Sequence, residues 1–451
     1  MSSNTKKNNA PLVHCIGIGG IGISALARWF LARNWHVSGS DIARSELITE
    51  LIKDGCNVKI GHKKATISSR TALVIYNKAI PDNNPELRRA RKLKMPILSY
   101  PQAIGSLTRS YRTIAVAGAH GKSTTTALVS LILKEACLDP TVIIGTKLRE
   151  FGGKNFRLGH GSYLVLEADE WSASFLHYSP AITIVTNIDR EHLDFYKNLQ
   201  NIEKTFLRFL GNTKQGGVLI LNRDNKNLLS LKPHIQEIAK TRKLKVLWYS
   251  LREASASQIK RILHIPGSHN VSNALAAYKL GKFLKIPKQK ILTSLASYRG
   301  AWRRMEYRGK FKQALVFDDY AHHPTEIKAT LRGLKEKYPK KKMLCVFQPH
   351  QAKRLTALFK DFLTAFNDAD ETLILPSYEV AGRDVHATKL DAKYLVRTIQ
   401  KQQPKKLIFY LENPKNLVKA ISALQTPLSH KVIVMMGAGN IFEYTESLIN
   451  N

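Results

Sequence analysis

A lysine and a serine just behind a glycine turn are the residues of this chain best placed to do chemistry. The run Gly118-Ala119-His120-Gly121-Lys122-Ser123-Thr124 joins a β-rich stretch (113–117) to an amphipathic one that continues through Lys134. Such a turn aims backbone N–H groups and a helix N-terminus at one point, which suits a phosphate. Lys122 then neutralises β- and γ-phosphate oxygens, and the Ser123 hydroxyl reaches a Mg²⁺ ion. The usual phosphate loop has a further glycine five positions before Gly121. Val116 stands there, so this loop is a shortened form. Two later apolar runs also end in metal-capable groups: 164–166 leads into Glu167, Asp169 and Glu170, and 184–186 into Asn187, Asp189, His192 and Asp194. One acidic strand end alone reads as a helix cap or a surface carboxylate. Two of them after a phosphate loop point to a metal site at the strand ends of a parallel sheet.

A second glycine turn, Gly17-Ile18-Gly19-Gly20-Ile21-Gly22, follows the strand-like run 12–16, and Asp41 closes another at 36–40. This is the spacing of a dinucleotide fingerprint. Taken alone it suggests a nicotinamide oxidoreductase. Any nucleotide diphosphate uses the same amides and helix dipole, however, and that reading leaves the Lys122 loop unexplained. A tight βα turn without a ligand is the plain alternative.

These residues need a scaffold of alternating strands and helices. The strand–turn–helix unit occurs at 12–31, at 113–134 and again at 343–366, where the turn is Gln348-Pro349-His350. Further strand-like runs lie at 72–76, 163–166, 182–186, 218–221, 373–376 and 431–436. The pattern predicts an α/β chain of three domains, each a sheet wound by helices, with boundaries near 109 and 298.

The chain has 451 residues, 44% hydrophobic and 8% aromatic, enough for several buried cores. No apolar run approaches the roughly 18 residues of a membrane span. The polar start, Met1 to Ala10, leads into a strand rather than a signal segment, so a cytoplasmic protein is expected. Cys15, Cys56, Cys137 and Cys345 are scattered without metal spacing and read as buried thiols. The 70 basic residues against 34 acidic give a net charge of +36. They are spread over many short runs without interleaved aromatics, so solvated helix faces are expected rather than a nucleic-acid track.

The order of segments resembles the Mur ligase family. The resemblance is carried by HCIGIGGIGISALA (14–27), SGSD (38–41), VAGAHGKSTTT (116–126), EADEWSASFL (167–176) and IVTNIDREHLDFY (184–196). It continues through GSHNVSNALAA (267–277), WRRMEYRG (302–309), DDYAHHPTEIKATL (318–331), FQPHQAKR (347–354) and MGAGNI (436–441). It implies a Rossmann-like UDP-sugar-binding domain (1–109), a central ATPase domain with a parallel sheet (110–298) and a C-terminal Rossmann-like domain that closes on amino acid and ATP (299–451). The implied reaction is ATP-dependent joining of L-alanine to UDP-N-acetylmuramate through an acyl phosphate, in peptidoglycan precursor synthesis.

Carried over by position, Gly19, Gly20 and Asp41 serve the UDP-sugar. Gly118, Ala119, His120, Gly121, Lys122, Ser123 and Thr124 hold ATP, with Asn270, Asn273, Arg304 and Asp319. Ser123, Glu170 and His192 hold Mg²⁺, or Mn²⁺ given the imidazole. Tyr320, His322, Gln351 and Arg354 surround the amino acid, and Lys122, His322 and Arg354 form the catalytic set.

The chain departs from the family pattern in three places. Two arginines usually follow FQPH, three residues apart, and here the first is Gln351. The EADE segment continues Trp171-Ser172 in place of Ser-Asp. Ala119 and Ser123 stand where threonine is usual. Two related readings compete: a ligase that recycles a preformed murein tripeptide, and a UDP-sugar-binding relative that has lost catalysis.

Overall fold

The computed structural model describes residues 10–63, 66–378, 390–424 and 427–450. Residues 1–9 and Lys64, which entered the reading of the N-terminus and of the basic runs, lie outside them. Strands β1 (Leu12–Ile16), β2 (His36–Asp41), β3 (Asn57–Ile60), β4 (Thr71–Tyr76) and β5 (Ile97–Ser99) pair in the order β3-β2-β1-β4-β5, all parallel. Their apolar alternation is lost in β1, which is buried from Val13 to Ile16, as a central parallel strand covered on both faces must be.

The second sheet holds β6 (Arg112–Ala117), β7 (Thr141–Leu148), β8 (Lys154–Arg157), β9 (Tyr163–Glu167), β10 (Ile182–Val185), β11 (Val218–Asn222) and β12 (Lys245–Tyr249). Its order is β12-β11-β10-β6-β9-β7-β8, parallel except for the edge hairpin β7–β8. The central β6 lies between β9 and β10. The phosphate loop therefore leaves the sheet at a topological switch point, with the carboxylate-bearing ends of β9 and β10 on either side. The helix behind the loop, Lys122–Glu135, is buried from Ser123 to Leu133, wedged between this sheet and the helices Ser268–Phe283 and Lys288–Ser297.

The third sheet runs β13-β14-β18-β15-β16-β17, comprising β13 (Glu306–Phe311), β14 (Ala314–Asp319), β15 (Lys342–Phe347), β16 (Glu371–Ile374), β17 (Leu407–Tyr410) and β18 (Lys431–Met436). Only β13 is antiparallel to its neighbour. The chain is thus α/β, with three parallel-rich sheets. Two expectations need correction. The single helix read over 352–366 is broken at Leu358 into Ala352–Ala357 and Phe359–Phe362. Cys137 is exposed at a left-handed turn (φ 59°), whereas Cys15, Cys56 and Cys345 are buried. Among the described residues no helix is long and apolar enough to cross a membrane.

Charged side chains lock the sheets together. Arg28, buried in the helix Ile21–Ala32, donates to Asp54 (2.7 Å), Glu50 (2.9 Å) and the Asn155 amide oxygen (2.5 Å) of the β7–β8 hairpin. Lys147 and Lys154 of that hairpin reach back to Glu50 and Asp54. On the opposite side, Arg190–Asp361 and Arg354–Glu191 tie the second unit to the third.

Candidate active site

The phosphate loop takes its shape from the end of β10. The Asn187 side chain accepts from the His120 N–H and donates to the His120 carbonyl, both at 2.9 Å, while the Thr186 hydroxyl donates to that carbonyl at 2.6 Å. Gly118 (φ 142°) lies so close to the Thr186 hydroxyl that a Cβ would collide with it. Gly121 (φ 79°) likewise abuts the Asn273 amide and caps the helix without a side-chain bond. The first-turn amides of Lys122, Ser123 and Thr124 therefore face outward as an anion site.

Lys122 is folded back over this loop. Its ammonium donates to the Gly118 carbonyl (2.7 Å) and to both Glu170 oxygens (2.8 and 3.0 Å). Burial opposes the charge, but the carboxylates of Glu170 and Asp169 outweigh it and hold the ammonium pKa above its ordinary value. Ser123 donates to Glu167 (3.0 Å), which also accepts from the Gly145 N–H. Ligand atoms of Asp169, Glu170 and His192 lie within 4.8 Å of one another. The structure thus brings Asp169, Glu170 and His192 together, while the Ser123 hydroxyl is engaged by Glu167.

Two cavities meet at the loop. One, of about 310 Å³, is lined by His120, Thr124, Asn270, Asn273, Arg304 and Asp319. Asn270 donates back to the Pro266 carbonyl, so its amide is not a helix N-cap. Asp319 accepts the N–H groups of Met305 and Ala321, each at 2.7 Å. It fixes the two loops that carry Arg304 and Tyr320. His120 turns its ring away from the anion site, onto Asp189 (2.9 Å) and Glu326 (3.3 Å). Burial opposes its charge, yet those two carboxylates push it up to about 10.

The other cavity, of about 520 Å³, opens where all three sheets converge. Lys122, Ser123, His192, Tyr320, His322, Gln351 and Arg354 reach it. Burial, helped by the positive charge of Arg354, pushes His322 down to about 4, so its ring is neutral. Its Nδ1 faces the Tyr320 carbonyl at 3.0 Å and must carry the proton, leaving Nε2 as an acceptor. Arg354 does not stand free: Nε and Nη2 donate to Glu191 at 3.1 and 2.6 Å. Gln351 starts the helix Ala352–Ala357 in a left-handed conformation (φ 67°).

Gly19 and Asp41 are joined by a backbone-to-carboxylate bond of 2.8 Å. Neither they nor Gly20 line the large cavity. Ile21 and Gly22 of the same turn do, with Asn77, Lys78 and Tyr100. The sequence offers Asp169 among its metal-capable groups without choosing it as a ligand, and it does not single out Asn77, Lys78, Glu191 or Glu326 as site residues. Asp169, Glu191 and Glu326 lie inside recognised segments, where their carboxylates were the available signal. Nothing local distinguishes Asn77 or Lys78.

Asp318, behind the Arg303-Arg304 pair, is fully buried, and neither of its oxygens has a hydrogen-bond partner. Burial pushes it up to about 7, with Glu306 adding to the rise and Arg303 opposing it. The native state therefore keeps a proton that the unfolded chain releases near 3.8. Stability from this group falls as pH rises from that value through about 7. Asp318→Asn is expected to raise the unfolding free energy by about 1–3 kcal/mol on the alkaline side of that window. Denaturant titrations at several pH values should show the gain shrinking toward acid.

Three family models match in order along the chain: Mur ligase family, catalytic domain (12–112); Mur ligase middle domain (116–281); and Mur ligase, glutamate ligase domain (303–439). Curated UDP-N-acetylmuramate–L-alanine ligases of Desulfotalea psychrophila and Aquifex aeolicus are each 36% identical to it. Those alignments cover 97% of this chain and 97% and 96% of theirs. Among solved structures, the UDP-N-acetylmuramate-alanine ligase of Thermotoga maritima matches with a TM-score of 0.78 at 26% identity, over 97% of this chain and 98% of that one. A murein peptide ligase from Psychrobacter arcticus shares the fold (TM-score 0.68, 22% identity, 98% of both chains). With the phosphate loop at the switch point of the middle sheet and family models matched along all three units, the chain belongs to the Mur ligase family.

Proposed function

We propose that this protein is an ATP-dependent ligase that joins L-alanine to the carboxylate of UDP-N-acetylmuramate, releasing ADP and phosphate, in the cytoplasmic synthesis of peptidoglycan precursors. One observation carries the reading above all. Lys122, on the phosphate loop, is bonded to the buried Glu170 of the Asp169–Glu170–His192 cluster, and Lys122, Asp169 and His192 line a cavity shared by three units. That is where a nucleotide, a carboxylate and an amine can be brought together.

The sugar nucleotide is assigned to 1–109, ATP to 110–298, and the amino acid, with closure on ATP through Arg304 and Asp319, to 299–451. A carboxylate oxygen attacks the γ-phosphorus and ADP leaves, so a poor electrophile becomes an acyl phosphate. The amine nitrogen then attacks the carbonyl carbon, the C–O bond to phosphate breaks, and the nitrogen's proton passes to phosphate or water. Lys122 stabilises the charge that builds on the transferring group. Neutral His322, its Nε2 lone pair open to the cavity, orients the amine. With a pKa near 4 it is too weak a base to take the amine's proton.

The Asp169, Glu170 and His192 donors fit a small divalent cation: two hard carboxylates suit Mg²⁺, and the imidazole equally admits Mn²⁺. When bound, such an ion would supply positive charge against the transferring phosphoryl group.

The deciding experiment measures phosphate release from ATP with UDP-N-acetylmuramate and each amino acid in turn. Release with L-alanine is the expected result. Release only with a murein tripeptide would replace this reading with the recycling ligase, and no release with any acceptor would refute ligation. Gln351 leaves the acceptor's carboxylate one cation short of the usual pair. Gln351→Arg should therefore lower the KM for L-alanine by roughly tenfold, the worth of one charge-assisted contact. An unchanged KM would show that the side chain does not reach the acceptor.

A further inference from the structure

A second group of metal donors lies apart from Asp169, Glu170 and His192, and nothing in the ligase reaction uses it as one. His120 on the phosphate loop, Asp189 after β10 and His323 at the start of the helix Pro324–Lys337 bring one ligand atom each within 4.8 Å of one another, with Asp189 Oδ2 2.9 Å from His120 Nε2 and 3.9 Å from His323 Nδ1. The His120 and His323 rings are 4.7 Å apart, centre to centre. Each donor is held in place by a hydrogen bond or ion pair with a neighbour. The His323 Nε2 faces the Arg190 carbonyl at 3.2 Å, so that nitrogen carries the proton; the Nδ1 lone pair accepts from the Thr325 N–H at 3.2 Å as a helix cap, a bond that a metal ion replaces on binding. The His120 Nδ1 faces Glu326 at 3.3 Å, an arrangement of carboxylate behind imidazole that recurs at metal sites and sets which nitrogen binds. Asp189 accepts from the Thr325 hydroxyl at 2.9 Å on the same oxygen that faces both rings. The group is mostly shielded from water, with side-chain exposures of 13%, 24% and 4%. Its open side is the nucleotide-sized cavity, whose wall includes His120, Asp189, Thr325 and Glu326.

We propose that His120, Asp189 and His323 form a second metal site, for a borderline ion of the Zn²⁺ class, that bridges the phosphate loop and the third unit. Two imidazoles and one carboxylate, with a position left open, match the donor set and coordination such ions take. Asp189 and Glu326 already hold a proton on His120, and a dication answers their field more fully. On binding, the ion takes the His120 Nε2 lone pair, one proton leaves for solvent, and Nδ1–H stays on Glu326. The open position accepts water or a phosphate oxygen.

The test is a Zn²⁺ titration of the full-length protein by calorimetry, repeated with Co²⁺ and its visible absorption. Wild type should bind at two sites. Glu170→Gln should lose one of them. His323→Asn, which keeps a helix-capping oxygen, and Asp189→Asn should each lose the other, with thermal melts establishing that each variant is still folded. Glu326→Gln should weaken that second site about 10- to 100-fold. Binding to wild type at only the Glu170 site, or a site count unchanged in both His323→Asn and Asp189→Asn, would overturn the proposal.

Discussion

Lys122→Ala is expected to lower phosphate release by roughly 10²–10³-fold, the loss found when one preorganised donor to developing charge is removed. The ammonium is held by the Gly118 carbonyl and Glu170, so it reaches the loop's anion site with little freedom to lose. The loss should appear in kcat with substrates saturating, because the charge being stabilised grows during transfer. Removing the lysine also leaves Glu170 with burial and the repulsion of Asp169 acting on it without the ammonium's opposition, and both favour the protonated acid. The variant should therefore stay folded, and its thermal melt separates a lost catalyst from a lost structure. A variant that melts normally and turns over like the parent would refute the role given to Lys122.

The loop itself was legible from sequence because every requirement on it is local. Gly118 and Gly121 are needed for positive φ and close approach, and Lys122 and Ser123 follow at once. The strands that carry the metal cluster were legible for a similar reason. β9 (Tyr163–Glu167) and β10 (Ile182–Val185) are mostly apolar, buried runs that give way abruptly to polar groups. The edges of the sheets were harder. β17 shows Leu407 and Phe409 to solvent, and β7 bends through a register shift against β8, so neither gives a clean period. The break at Leu358 has no glycine or proline to announce it.

The joins between units were not legible at all. Arg28 meets Asn155 across 127 positions and Arg354 meets Glu191 across 163, and no pattern along the chain encodes either pairing. The same distance hid the second role of His120. By position it belongs to the phosphate loop, yet its ring serves the contact with Glu326 of the third unit. Residues at a junction are chosen by what faces them, and sequence shows only what flanks them.

Arg354→Ala is the second large effect, and Glu191 makes it more than the loss of one ligand. Losing the one arginine left after FQPH should raise the KM for L-alanine by about 10- to 100-fold, from 1.5–3 kcal/mol of charge-assisted hydrogen bonding. The guanidinium also outweighs burial in holding the Glu191 carboxyl well below its usual range, and the second Glu191 oxygen already lacks a hydrogen-bond partner. Stripping the cation from a buried pair costs about 3–5 kcal/mol, and here that cost falls on the contact between the second and third units. Arg354→Ala should thus lower kcat and weaken ATP binding as well as alanine binding. Arg354→Lys should rescue little, because a point charge cannot reproduce two donors directed at one carboxylate. The two effects separate in the double variant Glu191→Gln/Arg354→Ala. Neutralising Glu191 removes the unpaired charge, so the KM for ATP should return toward the parent value while the KM for alanine stays high. If both constants recovered together, Arg354 would be a strut of the domain junction and the alanine carboxylate would be held elsewhere. If neither did, the guanidinium would be needed for both tasks at once.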